Sequence, residues 1–128
     1  MTDTDFAPEF DPVRIAAPND AFRRHVCLGS PWPEDVPPLA GRLVCTASVD
    51  ARGPLFVQTC RRTVGFHSDF PRESDPNGLH EFGAFQIRDI NVWWKIDAYD
   101  RACEWGSDDP GDPAQTARVL TILFPSDW

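Results

Sequence analysis

One lysine, one methionine, one tyrosine and three histidines are all that 128 residues contain of those types. Basic residues are scarce: 12 lysines and arginines stand against 20 acids, for a formal net charge of −8. That balance excludes a conventional basic nucleic-acid binder as the first expectation. Long apolar runs are missing too. VLTILF at 119–124 is the longest stretch, far short of the ~20 residues of a membrane-spanning helix. The N-terminus, MTDTDFAPEFDPV, has no basic region followed by an apolar one, so a cytoplasmic location is the expectation. No pair among Cys27, Cys45, Cys60 and Cys103 forms CxxC, which removes zinc-ribbon and thioredoxin-type readings. Reduced, mostly buried thiols are expected instead. Gly-rich phosphate loops and GxSxG are absent, and no cofactor is expected.

Proline is abundant, at 13 residues, and interrupts the chain often enough to break it into short elements. Acids are unevenly placed. Residues 1–68 carry eight acids and seven bases, whereas residues 69–128 carry twelve acids and five bases. Within the second half, Asp97, Asp100, Glu104, Asp108, Asp109 and Asp112 lie close to only one arginine, Arg101. Such a segment is either a solvated loop that keeps the protein soluble or a negative surface that attracts a basic partner.

Residues 1–12 read as a flexible acidic lead-in, and 13–128 as one domain. Pro18 is tolerated in a first helical turn, so a helix is expected to begin near Ala17 or Pro18, with Phe22 and Val26 on one face. Residues 29–41 hold four prolines and two glycines and read as a connection. RLVCTASV at 42–49 reads as a strand. Gly53-Pro54 opens a second helix that Gly65 closes, with Phe56, Cys60 and Val64 as its apolar stripe. FGAFQI, a turn near RDIN, and VWWKIDAYD form a β-hairpin over about 82–99. Its second strand points Val92, Trp94, Ile96 and Ala98 one way and Trp93, Lys95, Asp97 and Tyr99 the other. A last strand over about 118–124 is apolar on both faces, which predicts a central position. The sum is an α+β domain: two N-terminal helices packed on a mainly antiparallel sheet. Trp94 and Trp105 are expected in the core, and Trp32 and Trp128 in loop or tail settings.

Several residues invite chemical readings. Glu73, Asp75 and Asn77 alternate before Gly78, as at the start of a calcium loop, but Ala84 stands where such a loop needs its bidentate glutamate. A hydrogen-bonded acidic turn is the alternative. His80-Glu81 is not HExxH, because Ala84 replaces the second histidine. His80 reads equally as a hydrogen-bonding residue between loop and strand. Lys95 shares a strand face with Trp93, Asp97 and Tyr99. That is either a tuned amine or a phosphate contact, or else a cross-strand lysine–carboxylate pair with its stem on tryptophan. Trp93 stands where a PD…(D/E)xK nuclease needs an acid, so that nuclease is excluded.

SDFPRESDPNGLHEFGAF, WWKIDAYD and GSDDPGDPAQTARVLTIL follow one another in order. Asp75, Pro76, Gly78, His80, Glu81, Phe82 and Gly83 carry the first block, and Trp94, Lys95, Ile96, Asp97, Tyr99 and Asp100 the second. Gly106, Ser107, Asp109, Pro110, Asp112 and Pro113 open the third, and the run from Thr116 through Arg118 to Ile122 completes it. Together with IAAPNDAFR near the N-terminus, these strings resemble the family known as domain of unknown function 3768. The resemblance implies small proteins carried by plasmids and other mobile elements of alphaproteobacteria. Pro18 stands where that family has leucine, and Ala98 replaces an aromatic.

The resulting expectation is a non-enzymatic, acidic binding or inhibitor protein. It would engage a basic protein complex that handles nucleic acid, such as a defence nuclease, without touching nucleic acid or membrane itself. The residues expected to carry this are Glu73, Asp75, His80, Glu81, Trp93, Lys95, Asp97, Tyr99, Asp100, Glu104, Asp108, Asp109 and Asp112. The alternatives are a small metal-dependent hydrolase built on the loop acids and His80, and a plasmid-maintenance accessory protein.

Overall fold

Val92, Trp94 and Ile96 alternate with Trp93, Lys95 and Asp97, and this period of two divides the molecule into a covered and an uncovered side of one sheet. The computed structural model describes residues 12–128. The lead-in expected over 1–12 falls, up to residue 11, outside the described residues. Helix α1 spans Pro12–Leu28, β1 Ala40–Cys45, α2 Ala47–Asp50 and α3 Pro54–Gly65. Strands β2 (Phe82–Ile87), β3 (Ile90–Tyr99) and β4 (Ala117–Leu123) follow, and a 3-10 turn covers Pro125–Asp127. The strand order is β1-β4-β3-β2. β1 runs parallel to β4, and the other two pairings are antiparallel. The α+β class, the hairpin and the internal position of the last strand follow the sequence reading.

Helices α1 and α3 cover one face. Phe22, Cys27, Cys60 and Val64 pack there against Val92, Trp94, Ile96, Leu120 and Ile122, all buried. Cys27 and Cys60 are free thiols that burial pushes up to about 12 and about 11. Cys103, by contrast, is exposed.

Two glycines permit close approach. Gly41 has φ 151, and a Cβ there would strike the Arg118 carbonyl and the Phe22 ring. At Gly83 a Cβ would strike the indole of its strand partner Trp94, which lies across the glycine.

Three local expectations are corrected. Helix α1 starts at Pro12 and continues through Pro18 rather than beginning there. Pro18 removes one backbone hydrogen bond, but burial of Ile15 and Ala16 before it and of Asn19, Phe22 and Arg23 after it holds the turn. The 42–49 strand stops at Cys45, because Thr46 caps α2 by accepting from the Val49 amide. Trp105 is 75% exposed, on a loop outside the core.

Candidate binding face and its polar seam

The sheet face away from the helices carries Phe82 and Ala84 of β2, Trp93, Lys95, Asp97 and Tyr99 of β3, and Val119 and Thr121 of β4, by the strand register. Trp128 leans over it. Its ring meets Trp93 edge-on at 5.9 Å and Phe82 at 6.5 Å, and Phe82 meets Trp93 at 5.5 Å. Asp127 anchors this arrangement. Its carboxylate accepts from Thr46 Oγ1 at 2.7 Å, Ser48 Oγ at 2.6 Å and the Phe124 amide at 2.9 Å. These bonds hold the Asp127 carboxyl below its usual range. Lys95 Nζ lies 3.0 Å from Asp97 Oδ2 and 5.3 Å from the Trp128 ring. The lysine pairs along its own strand, so the expected cross-strand pair is corrected. The tryptophan beneath it is Trp128, brought in from the far end of the chain.

Acids gather at the other end of this face. Tyr99 pairs with Gly106 across the loop that leaves β3. Glu81, at the end of the 69–81 segment, and Pro110, in the second acidic loop, line one hollow of about 250 Å³ on the helix-covered side, with Ile15 and Asn19 of α1 and Ile96 and Ala98 of β3. The two acidic segments therefore approach each other at this end of the sheet, on the α1 side. Burial, with the nearby charges of Asp75 and Asp97, raises the Glu81 carboxyl.

Several acids build the loops themselves. Asp75 is buried and accepts from the Leu79 amide at 2.9 Å and the His80 amide at 3.2 Å. Asp100 accepts from the Glu104 amide. Asp109 accepts from the Gly111 amide and lies 3.8 Å from Arg14. Asp112 accepts from the Ala114 amide and the Gln115 side chain, which lower its carboxyl. Glu73, Glu104 and Asp108 are exposed, and among the described residues they make no side-chain hydrogen bond or ion pair. No group of three His, Cys, Asp or Glu side chains among the described residues is placed to hold a metal ion.

A buried polar seam behind the acids was not legible in the sequence. Arg23, fully buried, donates to the carbonyls of Val64 and His67 and to Asp20. Its guanidinium also lies over the rings of Phe70 and Trp94, at 5.3 and 5.2 Å. His80 Nδ1 is 3.0 Å from both Asp20 oxygens, and its ring stacks on Phe70 at 3.9 Å. His80 is a hydrogen-bonding residue as expected, but it ties the loop to helix α1 through Asp20 rather than to the strand. Arg118 donates to Asn19 Oδ1 and to the Pro110 carbonyl, and burial lowers its guanidinium to about 10. The only sequence signal for this seam was the spacing of Asn19, Asp20 and Arg23, three and four residues apart on α1.

No curated protein and no solved structure matches the chain. A family model described as a protein of unknown function (DUF3768) matches residues 45–127. The match begins at the end of β1 and takes in the binding face except Trp128, and both acidic segments, while α1 and its part of the seam precede it. It spans more than half of the sequence, and the chain belongs to the DUF3768 family.

Proposed function

We propose that this chain is a non-enzymatic binding protein of mobile-element type that inhibits a basic, nucleic-acid-handling protein complex, such as a defence nuclease. The observation that carries this reading is the approach of two acidic segments at one end of the sheet, beside a face that the described helices leave uncovered. The aromatic rings of the uncovered face supply contact area, and the acids at the other end of the sheet supply attraction to arginine-rich surfaces. Glu73, Glu104 and Asp108 are the free charges of this set, whereas Asp100, Asp109 and Asp112 hold their loops in shape. A cytoplasmic site of action suits such a partner, and no helix among the described residues is long and apolar enough to cross a membrane.

The test begins with capture of host proteins on the purified chain at low and high salt. Each retained complex is then purified and its affinity measured against the wild type and a Glu104→Gln, Asp108→Asn variant. The expected outcome is a single complex whose affinity falls at least tenfold with both treatments. Affinity indifferent to salt and to the neutral variant removes the proposal.

A second reading, a metal-assisted hydrolase, draws on the proximity of Asp75, His80, Glu81 and Asp97. His80 Nε2 is 4.0 Å from Asp75. Against it, both oxygens of Asp75 already accept backbone amides and His80 Nδ1 faces Asp20. Calorimetric titration with zinc, manganese and calcium separates the readings, since the binding-protein proposal expects no stoichiometric uptake.

A further inference from the structure

We propose that the outer edge of β2 is a second docking site, which takes an extended acidic peptide as an added strand with apolar residues at alternate positions. This surface lies at the sheet edge beside α3, apart from the acidic end of the uncovered face.

Ile96 N donates to the Glu81 carbonyl, which makes Glu81 and Ile96 a hydrogen-bonded pair. In an antiparallel ladder such pairs alternate with non-bonded ones. With the observed register, Gly83, Phe85 and Ile87 therefore turn their backbone groups inward to β3. Phe82, Ala84 and Gln86 turn theirs outward, where β2 has no neighbouring strand among the described residues. No hydrogen bond reaches those outward groups among the described residues. The strand itself, FGAFQI, contains no charge and no proline to discourage pairing.

Beside this edge runs α3, and between them lie two hollows. One, of about 520 Å³, is lined by Thr63, Phe66, Ala84 and Phe85 and flanked by Arg62. The next, of about 450 Å³, is lined by Leu55, Thr59, Ile87 and Ile90 and flanked by Arg52 and Arg88. Phe85 and Ile87 are two residues apart on one strand face, and Thr59 and Thr63 are one turn apart on the helix. An added strand offers side chains to one face at the same two-residue interval, ~7 Å. Strand addition works in this way, with main-chain bonds for affinity and pockets for alternate side chains. The hollows also account for two exposed apolar residues, Leu55 at 79% and Phe66 at 68%.

Charge selects the occupant. Arg52, Arg62 and Arg88 rim the two hollows, and Asp69 is the one carboxylate that lines them. In a chain of net charge −8 this is a locally basic groove, complementary to acids flanking the apolar residues of the peptide.

The experiment measures fluorescence anisotropy of a labelled peptide, Glu-Phe-Thr-Ile-Asp, against the full chain at low salt. Controls are the same peptide with lysines for its acids and one N-methylated at the alternate amides that face the strand. Saturable binding is expected, at least tenfold weaker for each control. Ala84→Pro removes an outward N–H while leaving the β3 ladder intact, so it is expected to weaken binding at least tenfold. Arg88→Glu is expected to do the same. The N-methylated peptide needs no altered protein, so the test survives a variant that fails to fold. No saturable binding, equal binding of the lysine peptide, or indifference to N-methylation overturns the proposal. Concentration-dependent dimerisation that Ala84→Pro abolishes also overturns it, and assigns the edge to a second copy of the chain.

Discussion

His80 holds Nδ1 3.0 Å from each oxygen of Asp20, across 60 residues of sequence, and so ties the acidic loop to helix α1. Asp20 is shared. Arg23, also on α1, donates to it at 2.8 Å while its other nitrogens bond two backbone carbonyls that follow and end α3. One carboxylate thus joins loop, helix and core.

Removing Arg23 should be among the most damaging single changes. Arg23→Ala removes a donor from three acceptors, of which the His67 carbonyl has no other donor among the described residues, and opens space beneath Trp94. A loss of about 3–5 kcal/mol is expected, read as a urea midpoint shift. Arg23→Lys should recover only part of it, because an ammonium does not present the planar fork that reaches three separate acceptors.

Gly41→Ala tests the close passage of β1 over β4. The added methyl meets a backbone carbonyl and a buried ring, and φ 151 is unfavourable for alanine. A loss of roughly 2–4 kcal/mol is expected. Gly53→Ala also carries positive φ but meets nothing nearby, so it should cost about 1 kcal/mol. Similar losses at the two positions would show that steric contact is not the cause at Gly41.

The acids of the second loop should separate into two classes in thermal melts. Asp112→Ala removes acceptors for Ala114 and Gln115, and Asp109→Ala removes the acceptor for Gly111, so both should lower Tm. Glu104→Gln and Asp108→Asn should leave Tm unchanged while weakening partner binding. Equal effects of all four on Tm would contradict this division of roles.

Glu81 predicts a pH dependence of definite sign. Its carboxyl is raised in the folded chain, so the folded state binds the proton more tightly than the unfolded state does. Its influence is therefore absent below the ordinary value of 4.5 and destabilises increasingly as pH rises from there through the folded value. Glu81→Gln should raise Tm at pH 7 and leave it unchanged near pH 4. His67 acts in the other direction. Burial lowers its imidazole, so the unfolded chain protonates first, and stability should fall as pH drops below 6.5.

Much of this architecture was legible because the deciding forces are local. The hairpin announces itself through period-two alternation on either side of Arg88-Asp89, and α3 through Gly53-Pro54 and the Phe56–Cys60–Val64 stripe. The misread elements are those where distant contacts outvote local rules. Pro18 argues locally for a helix start, but residues before and after it are buried and carry the helix through. Helix α2 has four residues, and its capping Thr46 is bonded to Asp127, 81 residues away. The site divides in the same way. Trp93, Lys95, Asp97 and Tyr99 share a face by simple alternation. The Arg118–Asn19 bond spans 99 residues and the Arg23–Val64 bond 41, so neither leaves a mark in any short window. Trp105 shows the converse error, since an aromatic type alone does not decide burial.

The place of β4 in the sheet has a consequence for synthesis. It is the last strand along the chain, yet it lies between β1 and β3. A nascent chain that has released everything up to Thr116 holds β1 as an orphan, because β4, its one partner among the described residues, is not yet made. Leu120 and Ile122, which fill the middle of the core, are also still missing. Folding on the ribosome must therefore wait for residues 117–123, and a message cut short before them yields an open, protease-sensitive product rather than a smaller working protein.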